Sequence, residues 1–176
     1  PLDPTVLKRL ATAPLGAEFT GMYLNEDGAF FLNVQHPSGG NDTADSEGKT
    51  FNKGTVGAIV GADFNALGNI AELDLPVTDL DKEVVQTSVG IYQALLQQTD
   101  VMTDGTNAGD IIAADGTTLL KNSNDPDFNG AVSDGQGGYY LYTNWEDRPG
   151  SMSRIQVSGL TNNGDSTINQ QGMLDF

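Results

Sequence analysis

The chain has 176 residues, with 24 acidic and 8 basic side chains, a formal net charge of −16, one His and no Cys. So few basic groups argue against nucleic-acid binding, because phosphate contacts need Lys and Arg. The lack of Cys excludes disulfides, Fe–S clusters and thiolate zinc sites, and a single His excludes cofactor sites built on two or more. No apolar run approaches the roughly 18–20 residues of a membrane span.

The acids are mainly Asp, which accounts for 18 of the 24. An Asp surplus suits tight turns and calcium loops more than helices. The alternative is a merely acidic surface, as in proteins from a salty or extracellular milieu. The chain opens on Pro1-Leu2-Asp3-Pro4 without the features of a signal peptide, so we expect a mature product or a fragment. The absence of Cys is compatible with secretion, and we expect a secreted, extracellular or periplasmic protein.

The first half of the sequence predicts antiparallel strands. Residues 18–24 and 29–34 are apolar runs separated by a turn that ends in Asp-Gly, which is typical of a hairpin. Residues 41–53 are polar and predict a long exposed loop. Residues 55–64 are strongly apolar and predict a buried strand.

The second half predicts one helix and then more strands. Residues 79–98 carry apolar side chains at mixed spacings of three and four, with Thr78 or Asp79 available as a cap, so we expect a helix there. Further short strands are predicted at 110–114, 117–121, 138–143, 153–157 and 172–176. Many short strands joined by Gly, Asp and Asn turns indicate an all-β sandwich or propeller, as a single domain over 1–176 or a fragment of a larger one.

The sharpest local motif is the D-x-D-x-N-G sequence that begins at Asp125. It matches the first half of a calcium loop, in which the side chains of Asp125, Asp127 and Asn129 converge on one ion. The glycine at the sixth position would allow a sharp turn, and Ala131 would offer its carbonyl oxygen. The twelfth position holds Gln136 instead of Glu. The alternative is a surface turn rich in Asp and Asn.

Two other places carry candidate chemistry. Glu146 and Arg148 follow an aromatic strand, where Glu146 could ligate a cation and Arg148 could grip a phosphate oxygen; the alternative is a solvated ion pair of Arg148 with Asp147 or Glu146. Glu18 is an acid at the start of an apolar strand, which is unusual without a partner. His36 ends the next strand as a ligand, a general acid or a satisfied polar residue.

These motifs together resemble the PhoX family of secreted, calcium-dependent alkaline phosphatases. The resemblance covers the sequences GAEFTG, EDG and FLNVQHP in the first forty residues, and later residues 123–130 and 143–154. It implies a β-propeller that holds calcium, and iron in characterised members, at the mouth of its channel and removes phosphate from monoesters.

The resemblance implies Glu18 as a metal ligand, and Glu146 and Arg148 as metal and phosphate contacts. The chain departs from the family in three ways. It has no Cys, which the iron centre of characterised members uses; its QHP segment lies near the start instead of the C-terminus; and it is short, since about 40–45 residues per blade allows about four blades at most.

Two functions are therefore expected. The first is a calcium-dependent phosphomonoesterase, or a portion of one, with Glu18, His36 and Arg148 as its catalytic residues and a phosphate monoester as its substrate. The second is a non-enzymatic, calcium-stabilised extracellular assembly module. The expected partner is the remainder of a parent chain or another copy of this one, because a propeller fragment exposes unpaired strand edges.

Overall fold

A computed structural model describes residues 7–64, 68 and 70–158, together with the backbone of 167–175. The elements in chain order are β1 (Ala11–Thr12), β2 (Glu18–Leu24), β3 (Phe30–Gln35), β4 (Thr55–Val60), α1 (Asp79–Glu83), β5 (Gln86–Thr87), β6 (Ile91–Gln97), β7 (Asp110–Ile112), β8 (Leu119–Asn122), β9 (Pro126–Ser133), β10 (Gly138–Trp145), β11 (Ser151–Ser158) and β12 (Thr167–Asp175).

The first large sheet has the strand order β2-β3-β4-β6, and all its pairs are antiparallel. Every residue of β4 is buried, because this central strand is covered on both faces. Gly57 in β4 leaves room for the Tyr92 ring, since a Cβ atom there would lie 2.3 Å from it. The Tyr92 hydroxyl in turn donates to the Leu32 carbonyl oxygen at 3.0 Å.

The second large sheet is formed by β9, β10, β11 and β12, paired antiparallel in chain order. Side chains along β11 alternate between buried and half-buried positions, so only one face of this sheet is fully covered. Two small sheets, β1-β5 and β7-β8, complete the described architecture.

The main core lies between the two large sheets. Buried apolar side chains of the first sheet, such as Phe31 and Val56, pack with those of the second, such as Leu141 and Ile155. Trp145 is fully buried here, and its indole N–H donates to Ser153 Oγ at 3.0 Å. Burial of this apolar surface is the main force that holds the sheets face to face.

A second core covers the far face of the first sheet. It contains five buried side chains and takes its cover from the N-terminal segment, two Phe side chains outside the sheet and the residues after α1. The buried members are Leu32, Val34, Phe51, Ile59 and Tyr92. Phe51 and Asn41 are buried within the region predicted as an exposed loop, so the prediction for residues 41–53 is wrong at these two positions.

Strands β2 and β9 lie side by side and are joined by side chains. Thr20 Oγ1 donates to the Pro126 carbonyl oxygen at 2.7 Å, and the Asn129 amide donates to the Gly21 carbonyl oxygen at 3.0 Å. Gly21 has a φ of +60°, and a Cβ atom there would lie 2.4 Å from the Asp127 carbonyl oxygen. This close approach requires glycine.

The predicted helix over 79–98 is wrong beyond its first turn. Helix α1 ends at Glu83, and residues 91–97 form strand β6, the edge of the first sheet. Thr78 does cap the helix, with its hydroxyl accepting from the Asp81 N–H at 3.1 Å. Gly90 has a φ of +61°, so it turns the chain into β6, where Tyr92, Leu95 and Leu96 are buried in the cores.

The all-β prediction is confirmed, and the predicted hairpin strands at 18–24 and 29–34 correspond to β2 and β3. The strands predicted at 55–64, 110–114, 117–121, 138–143 and 153–157 correspond to β4, β7, β8, β10 and β11 with shifted ends. The last predicted strand overlaps β12, and Phe176 lies outside the described residues. The described strands form no closed barrel. No helix in the described part of the chain is long and apolar enough to span a membrane.

Candidate functional site

A cleft of about 440 Å³ opens at one end of the two sheets. Its walls come from the start of β2, the end of β3, the residue before β9 and the segment after β10. The lining residues are Glu18, Gln35, His36, Asp125, Glu146, Asp147 and Arg148. The three predicted catalytic residues, Glu18, His36 and Arg148, therefore lie in one cleft with the predicted metal ligands Asp125 and Glu146.

Backbone hydrogen bonds hold the walls together. Glu18 lies opposite Gln35 in the β2–β3 ladder. The His36 N–H donates to the Asn124 carbonyl oxygen at 3.1 Å, and the Glu146 N–H donates to the Asp125 carbonyl oxygen at 2.7 Å. These bonds connect the hairpin of the first sheet to the second sheet, which explains how motifs about a hundred positions apart in sequence meet.

His36 has both ring nitrogens within hydrogen-bonding distance of acceptors. Nδ1 lies 3.1 Å from the Gly16 carbonyl oxygen, and Nε2 lies 3.2 Å from Glu18 Oε1. A carbonyl and a carboxylate oxygen only accept, so both ring nitrogens donate when the ring is protonated. Desolvation lowers the pKa of His36. The hydrogen bonds to Glu18 and Gly16 and the Glu18 charge raise it by more than this, so the net pKa is above the ordinary value.

The backbone of His36 supports the same arrangement. Its φ of +37° is in the left-handed region, which is uncommon for a residue with a side chain. Such a conformation costs free energy and persists where neighbouring contacts fix it. Here the ring contacts to Gly16 and Glu18 and the backbone contact to Asn124 fix it.

The carboxyl of Asp125 is influenced by four charged groups in or near the cleft. Partial burial raises the pKa of its carboxyl, and the negative charges of Asp147 and Glu146 add to this, while His36 and Lys121 oppose it. The net pKa is above the ordinary Asp value. A carboxyl with these properties can hold or release a proton nearer to neutral pH than an exposed Asp can.

Arg148 keeps its guanidinium available to a ligand. The alternative pairing with Asp147 is not what the structure has, because Asp147 pairs with Lys121, whose charge and hydrogen bond lower the pKa of the Asp147 carboxyl. Glu146 accepts from the Gln35 side-chain amide at 3.2 Å. Within the described residues no carboxylate lies at ion-pair distance from Arg148.

The predicted calcium loop is wrong as a loop, because residues 126–133 form the extended strand β9. An extended strand does not wrap around an ion, and the glycine at the sixth position of the motif makes no sharp turn. Asn129 is buried and fully engaged: its amide donates to Asn33 Oδ1 at 2.8 Å, and its oxygen accepts from the Thr143 hydroxyl at 2.7 Å. Ala131 packs against the main core.

Of that motif, only Asp125 lines the cleft. Asp127 lies in an adjoining cavity of about 380 Å³, which shares Glu146 and Asp147 with the cleft. The predicted metal ligands are therefore split between two cavities and a buried network. Among the residues that the structure describes, no three or more His, Cys, Asp or Glu side chains are grouped so that they could hold a metal ion.

Turn formation accounts for part of the Asp surplus. Four Asp carboxylates accept hydrogen bonds from backbone N–H groups two to four residues ahead, as Asx turns do. These are Asp45, Asp104, Asp115 and Asp134. These carboxylates have local partners without any cation.

The sequence did not single out Gln35, which lines the cleft, or Lys121, which pairs with the lining residue Asp147. Asp147 itself was expected as an ion-pair partner of Arg148. Gln35 directly precedes His36, and Asp147 lies between Glu146 and Arg148, so both were within motifs that had been singled out. No sequence motif pointed to Lys121, because its ion pair with Asp147 joins two segments that are distant in sequence, β8 and the segment after β10. Only the packing of the small β7-β8 sheet brings these two residues together.

Comparisons with protein-family models, curated proteins and solved structures found no match to this chain. The similarity to the PhoX family consequently stays a prediction from the motifs.

Proposed function

We propose that the cleft is a phosphate-binding site of the PhoX type that hydrolyses phosphate monoesters, alone or as a portion of a larger enzyme. The supporting observation is the convergence of Glu18, His36, Asp125, Glu146 and Arg148, which come from motifs at opposite ends of the chain, in one cleft. If these residues served only to stabilise the fold, they would not need to line the same solvent-open cleft.

Arg148 and His36 provide the positive charge for an anionic substrate. The Arg148 guanidinium, which has no carboxylate at ion-pair distance among the described side chains, can donate two parallel hydrogen bonds to a phosphate group. The Glu18 carboxylate holds the His36 ring in a fixed orientation and favours its protonated form. Arg148 and His36 are the two lining residues that can carry positive charge, in a chain of net charge −16.

Asp125 is the candidate for proton transfer. Partial burial raises the pKa of its carboxyl, and we assign it as the donor of the proton that the leaving alcohol oxygen needs when the P–O bond breaks. Glu146, whose carboxylate accepts a hydrogen bond from the Gln35 side-chain amide, would orient the water that attacks phosphorus and accept its proton as the new P–O bond forms.

The residues do not fit a preformed calcium cage, since the described carboxylates include no three-membered group for an ion. The iron implied by the resemblance lacks its Cys ligand. The proposed steps use only the chain's own side chains, and comparing turnover with calcium and with a chelator tests the proposed calcium dependence.

We also propose that the two large sheets are neighbouring blades of a partial propeller from a secreted protein. Each is a four-stranded antiparallel sheet, and β2 and β9 lie side by side, as the inner strands of adjacent blades do.

The test is release of phosphate from p-nitrophenyl phosphate by the whole chain, with calcium and with a chelator. We expect Arg148→Ala to lower kcat/KM by about a hundredfold, as is typical for removal of a charged group that stabilises a transition state. Lys49→Ala is the matched control, because Lys49 is exposed and lies outside the cleft. Absence of turnover in both conditions, or equal effects of the two variants, would contradict the proposal.

The second candidate is a non-enzymatic extracellular assembly module stabilised by calcium. It is favoured by the exposed apolar side chains Phe128 and Val132 on β9, which a solitary domain would usually replace with polar ones. Calcium-dependent thermal stabilisation or polymerisation without any turnover would support this candidate over the enzyme.

A further inference from the structure

The adjoining cavity differs from the cleft in the charge of its lining. It has a volume of about 380 Å³ and shares Glu146 and Asp147 with the cleft. Asp127 adds a third carboxylate, and no Lys, Arg or His among the described residues lines this cavity. The cleft contains Arg148 and His36, which are available to an anionic group, whereas the only charged groups in the adjoining cavity are carboxylates.

The three carboxylates of the adjoining cavity are not equally free to bind a ligand. Asp147 is paired with Lys121, and Glu146 accepts a hydrogen bond from the Gln35 amide. Asp127 is half-buried and has no cation at ion-pair distance in the described part of the chain. Asp127 is therefore the carboxylate with which a cationic ligand would pair, because partial burial screens such a pair less than full exposure does.

Ser151 provides an independent observation at the same cavity. It is 4% exposed, and its Oγ is buried without a hydrogen-bond partner among the residues that the structure describes. Ser151 lies opposite Trp145 in the β10–β11 ladder, both side chains are buried on the inward face of the sheet, and both line the cavity. A buried hydroxyl without a partner costs free energy, and a ligand in this cavity would supply the missing partner.

The lining suits an ammonium group more than a bare metal ion. Within the described residues no three His, Cys, Asp or Glu side chains are grouped so that they could hold a metal ion. An alkylammonium group needs no such cage, because its charge is carried on three N–H donors that can each reach a separate acceptor. The acceptors in this lining include the Asp127 carboxylate, the Asn144 side-chain oxygen and Ser151 Oγ.

The spacing of two Asp residues connects the two cavities. Asp125 directly precedes β9 and lines the cleft, and Asp127 on β9 lines the adjoining cavity. Residues two positions apart in an extended chain lie about 7 Å apart and project to the same side. An alcohol whose leaving oxygen lies at Asp125 would therefore bring an ammonium group two carbons away towards Asp127.

We propose that the adjoining cavity binds the ammonium end of a phosphorylated amino alcohol whose phosphate lies in the cleft. This inference rests on the proposed function and names its substrate class, the phosphate monoesters of short amino alcohols. Asp127 and Ser151 select the substrate by binding its ammonium group, and they take no part in breaking the P–O bond.

Fluorescence of Trp145 tests the binding, because it is the only Trp of the chain and lines the adjoining cavity. Ethanolamine and O-phosphoethanolamine should change its emission, whereas 1-propanol, which matches ethanolamine in size but is uncharged, should not. Asp127→Asn should weaken ethanolamine binding about tenfold, as expected for loss of a charge-assisted hydrogen bond. Asp42→Asn is the matched control, since it removes the same charge at an exposed position that lines neither cavity.

Ser151→Ala separates ligand binding from a role in the fold. We expect ethanolamine binding to weaken about threefold, within the range of a single neutral hydrogen bond. Tm should not fall, because the variant removes a hydroxyl that has no partner in the free protein. A lower Tm with unchanged binding would show that the hydroxyl stabilises the fold and would remove Ser151 from the site.

Kinetics of the whole chain distinguish this inference from the proposed function. We expect kcat/KM for O-phosphoethanolamine to exceed that for propyl phosphate, its uncharged counterpart, at least about tenfold. Hydrolysis of both esters at equal rates, with no response of Trp145 to ethanolamine, would overturn the inference and leave the phosphatase function in place. Binding of O-phosphoethanolamine that depends on Asp127, without turnover of any ester, would support the inference about the cavity and contradict the reaction. A Trp145 response to calcium alone that Asp127→Asn abolishes would overturn the inference, because the cavity would then be a metal site.

Discussion

Asn33 and Asn129 lie 96 residues apart in sequence, and their side chains meet in a hydrogen bond of 2.8 Å between the two large sheets. The same Asn129 side chain donates to the Gly21 carbonyl oxygen and accepts from Thr143, and Asn33 donates to the Asp127 carbonyl oxygen at 3.2 Å. Both Asn side chains are buried. This buried amide network fixes how the sheets are aligned, because each bond it loses would leave a buried polar group without a partner.

Replacing Asn129 with Ala should therefore destabilise the protein by about 2–4 kcal/mol, since the Gly21 carbonyl, Asn33 and Thr143 would lose their partner. Urea unfolding measures this. Asn144→Ala is the control, because Asn144 is exposed on β10, and a change within about 0.5 kcal/mol is expected there.

Asn129→Asp distinguishes the network from a metal site. A carboxylate cannot donate to Asn33 Oδ1 or to the Gly21 carbonyl oxygen, so the variant should be less stable than the wild type with or without calcium. If calcium instead stabilised Asn129→Asp above the wild type, Asn129 would be acting as a ligand.

The hairpins were predictable, because alternation and turn residues are local properties of the sequence. The helix over 79–98 was not, since apolar residues at 91, 92, 95 and 96 fit a helical stripe as well as they fit a strand covered on both faces. Tertiary packing against β4 decides in favour of the strand.

For the cleft, the sequence identified Glu18, His36, Glu146 and Arg148, but it assigned the D-x-D-x-N-G motif to a calcium loop. Alternating oxygen-bearing residues have the same spacing in a loop around an ion and along one face of a strand. Nothing local to the motif shows that Asn129 is buried against Asn33. That contact depends on the alignment of two sheets and is not readable from spacing.

His36 is the only His in the chain, so its titration can be followed by NMR without assignment ambiguity. We expect a pKa above 6.5 because Glu18 and Gly16 accept hydrogen bonds from its protonated ring. Since the folded-state pKa is raised, the stabilising contribution of this pair is present at low pH and is lost as pH rises through the folded pKa. Glu18→Gln should shift the pKa downwards, whereas an unchanged value in that variant would show that the ring is not paired with Glu18.

Asp115 gives the opposite pH dependence. Its carboxylate accepts hydrogen bonds from the Thr118 hydroxyl and from the Thr118 and Thr117 N–H groups, which lower its pKa to about 2. The contribution of this turn cap is thus present above the unfolded pKa and is lost as pH falls through the folded value. Asp115→Ala should lower Tm at pH 7 and change it less at very low pH. An equal loss of Tm across the whole range would mean that the charge of Asp115 does not matter.

Asp125 should show a conflict between stability and activity. Partial burial and the charges of Glu146 and Asp147 disfavour its ionised form and raise its pKa, so the folded state loses stability as pH rises past the ordinary Asp range. Asp125→Asn removes the charge while keeping the shape, and we expect a higher Tm at pH 7 together with lower phosphatase activity. Thermal melts and the p-nitrophenyl phosphate assay on the same preparation measure both.

Asp127→Asn is the control, since Asp127 lies in the adjoining cavity. A drop in Tm for Asp125→Asn would mean that the Asp125 carboxylate makes a stabilising contact, and a retained activity would remove it from the proton-transfer role.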